Sequence, residues 1–138
     1  MGEQDCIFCK IVAGELPATI VDQDEHTLAF MDINPATSGH ALVIPRAHTQ
    51  DMLSIEESEL QAVAVAAQRL ARRVKERLGA DGVNVINSCG AAAWQTVFHF
   101  HLHVIPRYID DPLELPWTPA PGDPAEIAAA AAVIGSVA

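Results

Sequence analysis

Three histidines alternate with apolar residues in the stretch 97–107, which reads V-F-H-F-H-L-H-V-I-P-R. Successive side chains of a β-strand point to opposite faces, so an extended backbone places His99, His101 and His103 in one row. A helix would scatter the same side chains around its axis. On a strand, the opposite face enters a core through its apolar residues, Phe98, Phe100, Leu102 and Val104. The pattern therefore indicates a functional strand face rather than incidental histidines.

A row of imidazoles can perform nucleophilic chemistry on phosphorus. Much of an imidazole is unprotonated near neutral pH, so it can displace a leaving group and form a phosphohistidine that water then opens. Its neighbours must donate hydrogen bonds to oxygens whose negative charge grows in the transition state. His101 has a histidine on either side, which makes it the candidate nucleophile. The spacing alone does not establish hydrolysis.

The chain has 138 residues, which suits one domain with a substantial core. We interpret residues 1–138 as a single domain, with its core in 6–108 and a proline-rich tail and terminal helix in 109–138. Half of the residues are apolar, but no run is long enough to cross a bilayer. The start, M-G-E-Q-D, lacks the basic and apolar regions of a secretory signal. We therefore expect a cytoplasmic protein without a membrane partner.

The formal net charge is −10, from 18 acidic and 8 basic residues. This balance disfavours nucleic acid as a partner, because that affinity depends on neutralising phosphates. A small nucleotide ligand stays possible, since a pocket can be locally positive or can offer backbone N–H donors. Five basic residues lie late in a predicted helix between residues 69 and 77, where they complement the helix dipole and stay solvated.

The order of predicted elements is typical of an antiparallel α+β fold, with a sheet of about five strands, one long helix and short terminal helices. A short helix capped by Asp5 runs to about Val12 and stops at Gly14. Strands at 19–22 and 27–31 form a hairpin. The nearly continuous apolar run at 40–45 predicts a central strand covered on both faces.

The long helix is predicted from Ser54 to Gly79, followed by a strand at 82–87. Ser54 is the expected N-cap, with Glu57 completing a capping box, and Gly79 is the expected stop. An apolar stripe at helical spacing would face the core: Leu60, Val63, Ala64, Ala67, Leu70, Ala71, Val74 and Leu78. The segment 110–124 carries five prolines and should wrap over a surface. Residues 125–137 are alanine-rich and predict a terminal helix capped by Asp123.

The stretch 99–105 resembles the signature of the histidine triad (HIT) superfamily, in which three histidines alternate with apolar residues and two more apolar residues follow. In that family the middle histidine attacks the α-phosphate of a nucleotide and forms a nucleotidyl-histidine, which implies this role for His101. The resemblance implies that His103 contacts the phosphate. His40, in G-H-A-L-V-I-P, is similar to a fourth histidine that orients the triad, to which His99 also belongs.

The resemblance extends over about residues 6–108 and implies a nucleotide pocket. Asp32 corresponds to the partner of the ribose hydroxyls, since a carboxylate accepts two hydrogen bonds. Asn87, Gln95 and Thr96 match polar residues that contact the α-phosphate and the bridging or leaving-group oxygen. The base would lie among apolar side chains: Phe8, Ile11, Leu16, Phe30 and Ile33. Many members carry glycine where this chain has Trp94. A tryptophan at positive φ is strained, so we expect the loop to take another path.

Cys6 and Cys9 form a Cys-x-x-Cys pair, whereas Cys89 stands alone. A redox role would require a thioredoxin-like context, which the sequence lacks, and one pair supplies only half of a zinc site. From the residues alone, a metal site and two reduced buried cysteines both stay open. Some HIT proteins hold a structural zinc with such a pair, a histidine after a proline and the first triad histidine. The resemblance implies Cys6, Cys9, His48 and His99 as the ligands here.

We therefore expect a nucleotide hydrolase or transferase that acts at the α-phosphate of a nucleotide conjugate, with an AMP-type phosphoramidate as substrate. A dinucleoside polyphosphate hydrolase and a nonenzymatic nucleotide-binding module are the alternatives. The resemblance also implies a homodimer with a purine nucleotide ligand, formed through the long helix and a paired strand.

Overall fold

The computed structural model describes residues 3–135, which form three helices and five strands. Helix α1 spans Ile7–Val12, α2 spans Glu57–Leu78 and α3 spans Pro124–Ile134. The strands are β1 (Ile20–Gln23), β2 (Thr27–Met31), β3 (Ala41–Pro45), β4 (Gly82–Ile86) and β5 (Leu102–Arg107). Short 3₁₀ turns occupy Glu3–Asp5 and Ala91–Ala93.

The five strands form one antiparallel sheet in the order β1-β2-β3-β5-β4, which confirms the predicted α+β class. Strand β3 lies at the centre and all five of its residues are buried, as its continuous apolar run predicts. Its residues alternate between two apolar clusters. Ala41 and Val43 face the cluster under α2, whereas Leu42 and Ile44 face the cluster under α1.

Helix α2 covers one face of the sheet through residues that share one side of the helix. Val63, Ala66, Ala67, Leu70 and Val74 are buried, and they pack with Phe100, Leu102 and Val104. Four members of the predicted stripe lie outside this buried set. Leu60 and Ala71 are only partly buried and pack against the same cluster. Ala64 is exposed, and so is Leu78, which lies at the end of the helix.

The predicted capping box at the start of α2 is wrong. The N-cap is Glu56, whose side chain makes no capping hydrogen bond. Ser54 instead belongs to a turn closed by Asp51, whose carboxylate accepts hydrogen bonds from the backbone N–H groups of Leu53 and Ser54. This local turn competes successfully with helix formation, so α2 starts two residues later than a Ser54 cap requires. The predicted stop is confirmed, since Gly79 adopts the left-handed conformation with φ 66°.

The histidine-rich strand is shorter than predicted, because β5 begins only at Leu102. Upstream of this point the backbone leaves the sheet, and Phe100 donates its N–H to the carbonyl of Thr49 in the loop after β3. The side chains nevertheless continue to alternate between the two sides of the chain. Phe100, Leu102 and Val104 still enter the cluster under α2, and the three histidines take the other side. Phe98 does not follow the prediction, since it is only half-buried.

The loop before the histidines does not avoid positive φ at Trp94, contrary to expectation. Trp94 has φ 75° and ψ 20°, and its side chain is 70% exposed. Buried Gln95 holds the loop in place: its Oε1 accepts from the N–H of Gly90, and its Nε2 donates to the carbonyls of Gln50 and Val97. These three hydrogen bonds offset the strain of a left-handed tryptophan.

The C-terminal segment lies mostly in solvent. Asp123 caps α3 as predicted, by accepting a hydrogen bond from the N–H of Ala125. The predicted end of this helix at Val137 lies outside the described residues. No residue of α3 is buried, and only Asp111 and Leu113 of the proline-rich stretch 110–123 are half-buried. Within residues 3–135, no helix combines the length and the apolar character that crossing a membrane requires.

Replacing Trp94 by glycine should stabilise the protein, because glycine adopts the left-handed conformation without the Cβ clash. We expect a gain of about 1 kcal/mol in the free energy of unfolding, measured by urea denaturation followed by circular dichroism. Trp117→Gly is the matched control, since Trp117 is similarly exposed and has no positive φ. A loss of stability in both variants would contradict the strain at Trp94.

Candidate active site and metal centre

Two clusters of functional side chains lie on the side of the sheet opposite α2. The first, the imidazole relay, consists of Asp32, His40, His101 and His103. The second, the cysteine cluster, consists of Cys6, Cys9, His48 and His99. Loops and strand ends supply most of these residues, so the sheet and α1 hold the two clusters side by side.

His101 is buried, and its ring orientation is set by a backbone bond. Nδ1 lies 2.7 Å from the carbonyl oxygen of His99. A carbonyl can only accept, so Nδ1 carries the proton and the lone pair of the neutral ring lies on Nε2. Burial lowers the pKa of His101 from its ordinary value, which keeps the ring neutral. Phe8 packs edge-on against the ring at a centroid distance of 5.2 Å.

His40 and His103 form a chain of directed hydrogen bonds. The backbone N–H of Ala36 donates to His40 Nδ1 at 2.9 Å, so the proton of neutral His40 must be on Nε2. His40 Nε2 lies 2.9 Å from His103 Nδ1, which therefore accepts. His103 then carries its own proton on Nε2, where it can donate to an oxygen. Burial, assisted by the neighbouring His101 and His40, lowers the pKa of His103 to about 4.

The turn between β2 and β3 positions His40 for these hydrogen bonds. His40 N donates to the carbonyl of Thr37, and Thr37 Oγ1 donates to the carbonyl of Pro106 at 2.5 Å. Gly39 has φ 95°, and a Cβ there would collide with the Leu78 side chain at the end of α2. Glycine before His40 is thus favoured by the positive φ, and a larger residue would also have to push the Leu78 side chain aside.

Asp32 adds a carboxylate to the relay. Its Oδ2 lies 3.4 Å from His40 Nε2, and its Oδ1 accepts from the N–H of Asn34 at 2.8 Å. Asp32, His40 and His103 are close enough to share a metal ion. The tautomer argues against this role, because a ligating Nε2 would have to lose the proton that the Ala36 hydrogen bond places there. The geometry is that of a hydrogen-bond relay.

A cavity of about 370 Å³ opens beside His101 and His103. This volume is within the range of small-molecule sites. Seven residues that the sequence assigned to nucleotide binding line it, together with the two histidines: Phe8, Ile11, Leu16, Phe30, Asp32, Ile33 and Thr96. Leu42 and Val97 also line it and were not anticipated. Period-two spacing from His40 could have identified Leu42, whereas Val97 lies in the irregular stretch before β5.

Asn87 and Gln95 lie outside the lining of this cavity. Asn87 Nδ2 donates to the carbonyl of His101 at 3.0 Å, so it holds the backbone of the candidate nucleophile. Gln95 directs both ends of its amide to backbone groups of the surrounding loops. In this structure the two side chains therefore act on the protein backbone.

The cysteine cluster brings four potential metal ligands together from three places in the chain. Cys9 Sγ lies 3.2 Å from His48 Nδ1, and His99 Nδ1 lies 3.5 Å from both sulfurs. All four ligand atoms lie within 4.8 Å of one another. His99 is fully buried, and its Nε2 donates to the carbonyl of Pro45 at 2.8 Å. The lone pair on its Nδ1 therefore faces the sulfurs, as metal ligation requires.

The donor set fits zinc. Tetrahedral zinc bonds of about 2.3 Å to sulfur and about 2.0 Å to nitrogen place neighbouring S and N atoms about 3.6 Å apart, close to the separations above. Burial and then Cys6 raise the pKa of the Cys9 thiol to about 12 when no cation is present. Such a thiol ionises readily only beside a positive charge, so ion binding must displace protons from the cysteines.

His99 joins the two clusters. Its side chain faces the cysteines, while its carbonyl accepts the Nδ1 proton of His101. Phe8 makes a second connection, because it lies in α1 between Cys6 and Cys9 and packs edge-on against both His99 and His101. The position of the candidate nucleophile thus depends on the segment that carries the cysteines.

Comparisons with known proteins find relatives in both sequence and fold. The chain is 42% identical over 105 residues to Protein hit of Bacillus subtilis, covering 76% of this chain and 72% of that protein. Its fold is similar to a zinc-bound histidine triad family protein from Mycobacterium smegmatis, with a TM-score of 0.78, 44% identity and 86% of each chain covered. A histidine triad nucleotide-binding protein from Candida albicans gives a TM-score of 0.83 at 28% identity, with 95% of each chain covered.

The model of the HIT domain matches residues 13–110, which include His40, His48 and the whole triad but neither Cys6 nor Cys9. The cysteine cluster is therefore a feature that the family match does not by itself imply. With most of the chain matched, this protein belongs to the HIT family, whose members are generally nucleotide hydrolases or transferases.

Proposed function

We propose that this protein cleaves nucleotide conjugates at the α-phosphate through a nucleotidyl intermediate on His101, with AMP-type phosphoramidates as its substrates. One observation carries the proposal. The His99 carbonyl binds the Nδ1 proton of His101, so the lone pair of a neutral ring lies on Nε2, and this residue lines the cavity. An unprotonated imidazole fixed beside a nucleotide-sized cavity is suited to nucleophilic attack.

In the first step Nε2 of His101 attacks the α-phosphorus, a P–Nε2 bond forms and the P–N bond to the leaving group breaks. The leaving group departs as an amine after taking a proton from water. The His101 ring is then cationic, and the His99 carbonyl stabilises its remaining Nδ1 proton. In the second step water attacks phosphorus and loses one proton, which neutralises the hydroxide left by the first step. The P–Nε2 bond breaks, the nucleoside monophosphate is released and His101 returns to its neutral form.

His103 and Thr96 stabilise the charge on the phosphate oxygens in this proposal. The Nε2 proton of His103 is directed by the relay from Ala36 and His40, so donation costs no reorganisation at the moment of reaction. Asp32 accepts the ribose hydroxyls, and the base lies against the apolar wall formed by Phe8, Phe30 and Ile33. Asn87 positions the backbone of His101, and Gln95 positions the loop before the histidines, because their amides are already bonded there.

We also propose that the cysteine cluster binds a structural zinc through Cys6, Cys9, His48 and His99. Four protein ligands leave no open position, which suits a structural site rather than a catalytic one. Zinc would attach α1, and with it Phe8, to the loop that carries His99. Cysteines that bind zinc must stay reduced, and a reducing compartment keeps them so. The proposed site is therefore consistent with a cytoplasmic location.

A homodimer formed through α2 and β4 completes the proposal. Strand β4 is at the edge of the sheet and pairs on only one side, with β5. Its residues Val85 and Ile86 are nearly half exposed. An unpaired edge with exposed apolar residues is a ready surface for a second copy.

His101→Ala should lower the turnover of adenosine 5′-phosphoramidate by at least about a thousandfold, because it removes the nucleophile. Release of AMP measures the rate, and intact-protein mass spectrometry after acid-free quenching should detect a nucleotidyl adduct only in the wild type. His26→Ala is the control, since His26 lies in the exposed β1–β2 turn. Equal rates in wild type and His101→Ala would refute the mechanism. If the wild type cleaves only diadenosine polyphosphates, the protein is a dinucleoside polyphosphate hydrolase. If it cleaves no nucleotide substrate, a nonenzymatic nucleotide-binding module is favoured.

Elemental analysis of the purified protein should find about one zinc ion per chain, and Cys9→Ser should lose it. The variant should also unfold at a lower temperature, since structural zinc contributes several kcal/mol to folding. Cys89→Ser is the matched control and should retain both metal and stability, because Cys89 lies outside the cluster. Full metal retention by Cys9→Ser would remove Cys9 from the ligand set.

Sedimentation equilibrium should give twice the chain mass for the wild type, and Val85→Lys should shift the protein towards the monomer because it places a charge on the β4 edge. Ile20→Lys is the control, since Ile20 is similarly exposed on β1 at the opposite edge of the sheet. Dissociation by Ile20→Lys but not by Val85→Lys would exclude the proposed interface.

A further inference from the structure

We propose that Asp32 is a positioning residue as well as a sugar ligand, and that the ribose hydroxyls direct the phosphate-binding histidine through it. When these hydroxyls donate hydrogen bonds to the Asp32 carboxylate, the single N–H of His40 would donate to His103 alone. The inference rests on the proposed nucleotide chemistry of this site and adds a link between sugar recognition and catalysis.

The link depends on the position of Asp32 between the cavity and the relay. Asp32 lines the cavity, yet its side chain is only 17% exposed. The N–H of Asn34 binds Oδ1, and the backbone N–H of Asp32 donates to the carbonyl of His40. These two bonds hold the carboxylate against the His40 ring.

Two acceptors compete for the same donor. His40 has one N–H, on Nε2, because its Nδ1 accepts from the N–H of Ala36. His103 Nδ1 lies 2.9 Å from that donor and Asp32 Oδ2 lies 3.4 Å from it. Of these two contacts only the one to His103 has hydrogen-bond geometry, but a carboxylate is the stronger acceptor and its charge attracts the same N–H towards Asp32.

The outcome of this competition determines what His103 can offer the substrate. While His103 Nδ1 accepts from His40, the proton of His103 must be on Nε2 and available to a phosphate oxygen. When the His40 N–H turns towards Asp32, the His103 ring is free to carry its proton on either nitrogen. Only the tautomer with its proton on Nε2 can donate a hydrogen bond to the phosphate.

Ribose would decide the competition. Two vicinal hydroxyls can each donate to the Asp32 carboxylate, which satisfies its oxygens and lowers its attraction for the His40 N–H. The N–H then binds His103 alone. A nucleotide without these hydroxyls would leave Asp32 unsatisfied, so it would react slowly even when bound.

The kinetic test compares adenosine 5′-phosphoramidate with its 2′,3′-dideoxy analogue. In the wild type the dideoxy analogue should show a kcat about tenfold lower, equivalent to one hydrogen bond, in addition to a higher KM. In Asp32→Asn the KM for the ribose substrate should rise, while the kcat values of the two substrates should agree within about twofold, because the charged competitor is gone. If Asp32 only binds sugar, wild-type kcat will be equal for both substrates and only KM will differ, which overturns the proposal.

Ile33→Ala provides the matched control, since Ile33 also lines the cavity on the same turn but its apolar side chain cannot accept the N–H of His40. It should raise KM for both substrates and preserve the tenfold ratio of kcat values. Loss of that ratio in Ile33→Ala would show that any disturbance of the turn removes the effect, and would count against a specific role for Asp32.

A second readout does not depend on turnover. With ¹⁵N-labelled histidine, the coupling across the hydrogen bond between His40 Nε2 and His103 Nδ1 can be measured by NMR. Saturating AMP should increase this coupling and leave His103 protonated on Nε2 only, whereas saturating 2′,3′-dideoxy-AMP should not. Identical spectra with the two ligands would overturn the inference. A difference in the spectra without any phosphoramidate turnover would support this inference while refuting the proposed hydrolysis.

Discussion

Burial of neutral imidazoles is the constraint on which the rest of the site depends. A buried polar group without a hydrogen-bond partner costs free energy, so each ring nitrogen that leaves water needs a partner. The backbone supplies one partner to each of three rings: Pro45 to His99, the His99 carbonyl to His101, and the Ala36 N–H to His40. Among residues 3–135, no buried side-chain nitrogen or oxygen lacks a partner. Each of these bonds selects one tautomer and so determines which nitrogen can react, ligate or donate.

The same constraint explains why the two clusters lie together. His99 is committed on three sides: its Nε2 to Pro45, its Nδ1 to the cysteines and its carbonyl to His101. A shift of His99 would therefore disturb both the ligand set and the nucleophile. The apolar cluster under α1, which includes Phe8, Phe30 and Leu42, forms the floor of the cavity and also packs against Cys6. Core packing, metal ligation and substrate binding are thus parts of one arrangement on this side of the sheet.

Much of the fold could be predicted because local signals agreed with tertiary packing. The continuous apolar run of β3 required cover on both faces, and α2 with Gly79 at its end follows helical periodicity. Predictions failed where a nonlocal bond or a competing turn decided the outcome. Asp51 formed a turn with Ser54 that displaced the capping box. Phe100 bonded to Thr49, so β5 started after two of the three histidines. Gln95 held Trp94 at positive φ through partners as distant as Gln50.

The sequence by itself determined which chemistry is possible, because side-chain identity sets the nucleophiles, the ligands and the period-two pattern that puts three histidines on one side of an extended chain. It also determined the candidates for the metal centre through the type of each ligand. Only the tertiary structure decided which nitrogen of each ring is available, because tautomers depend on partners such as Pro45 and Ala36 that are distant in the chain or belong to the backbone. Only the tertiary structure separated Asn87 and Gln95 from the cavity and set Asp32 against His40. Contacts of this kind arise from packing of the whole chain, and no local pattern encodes them.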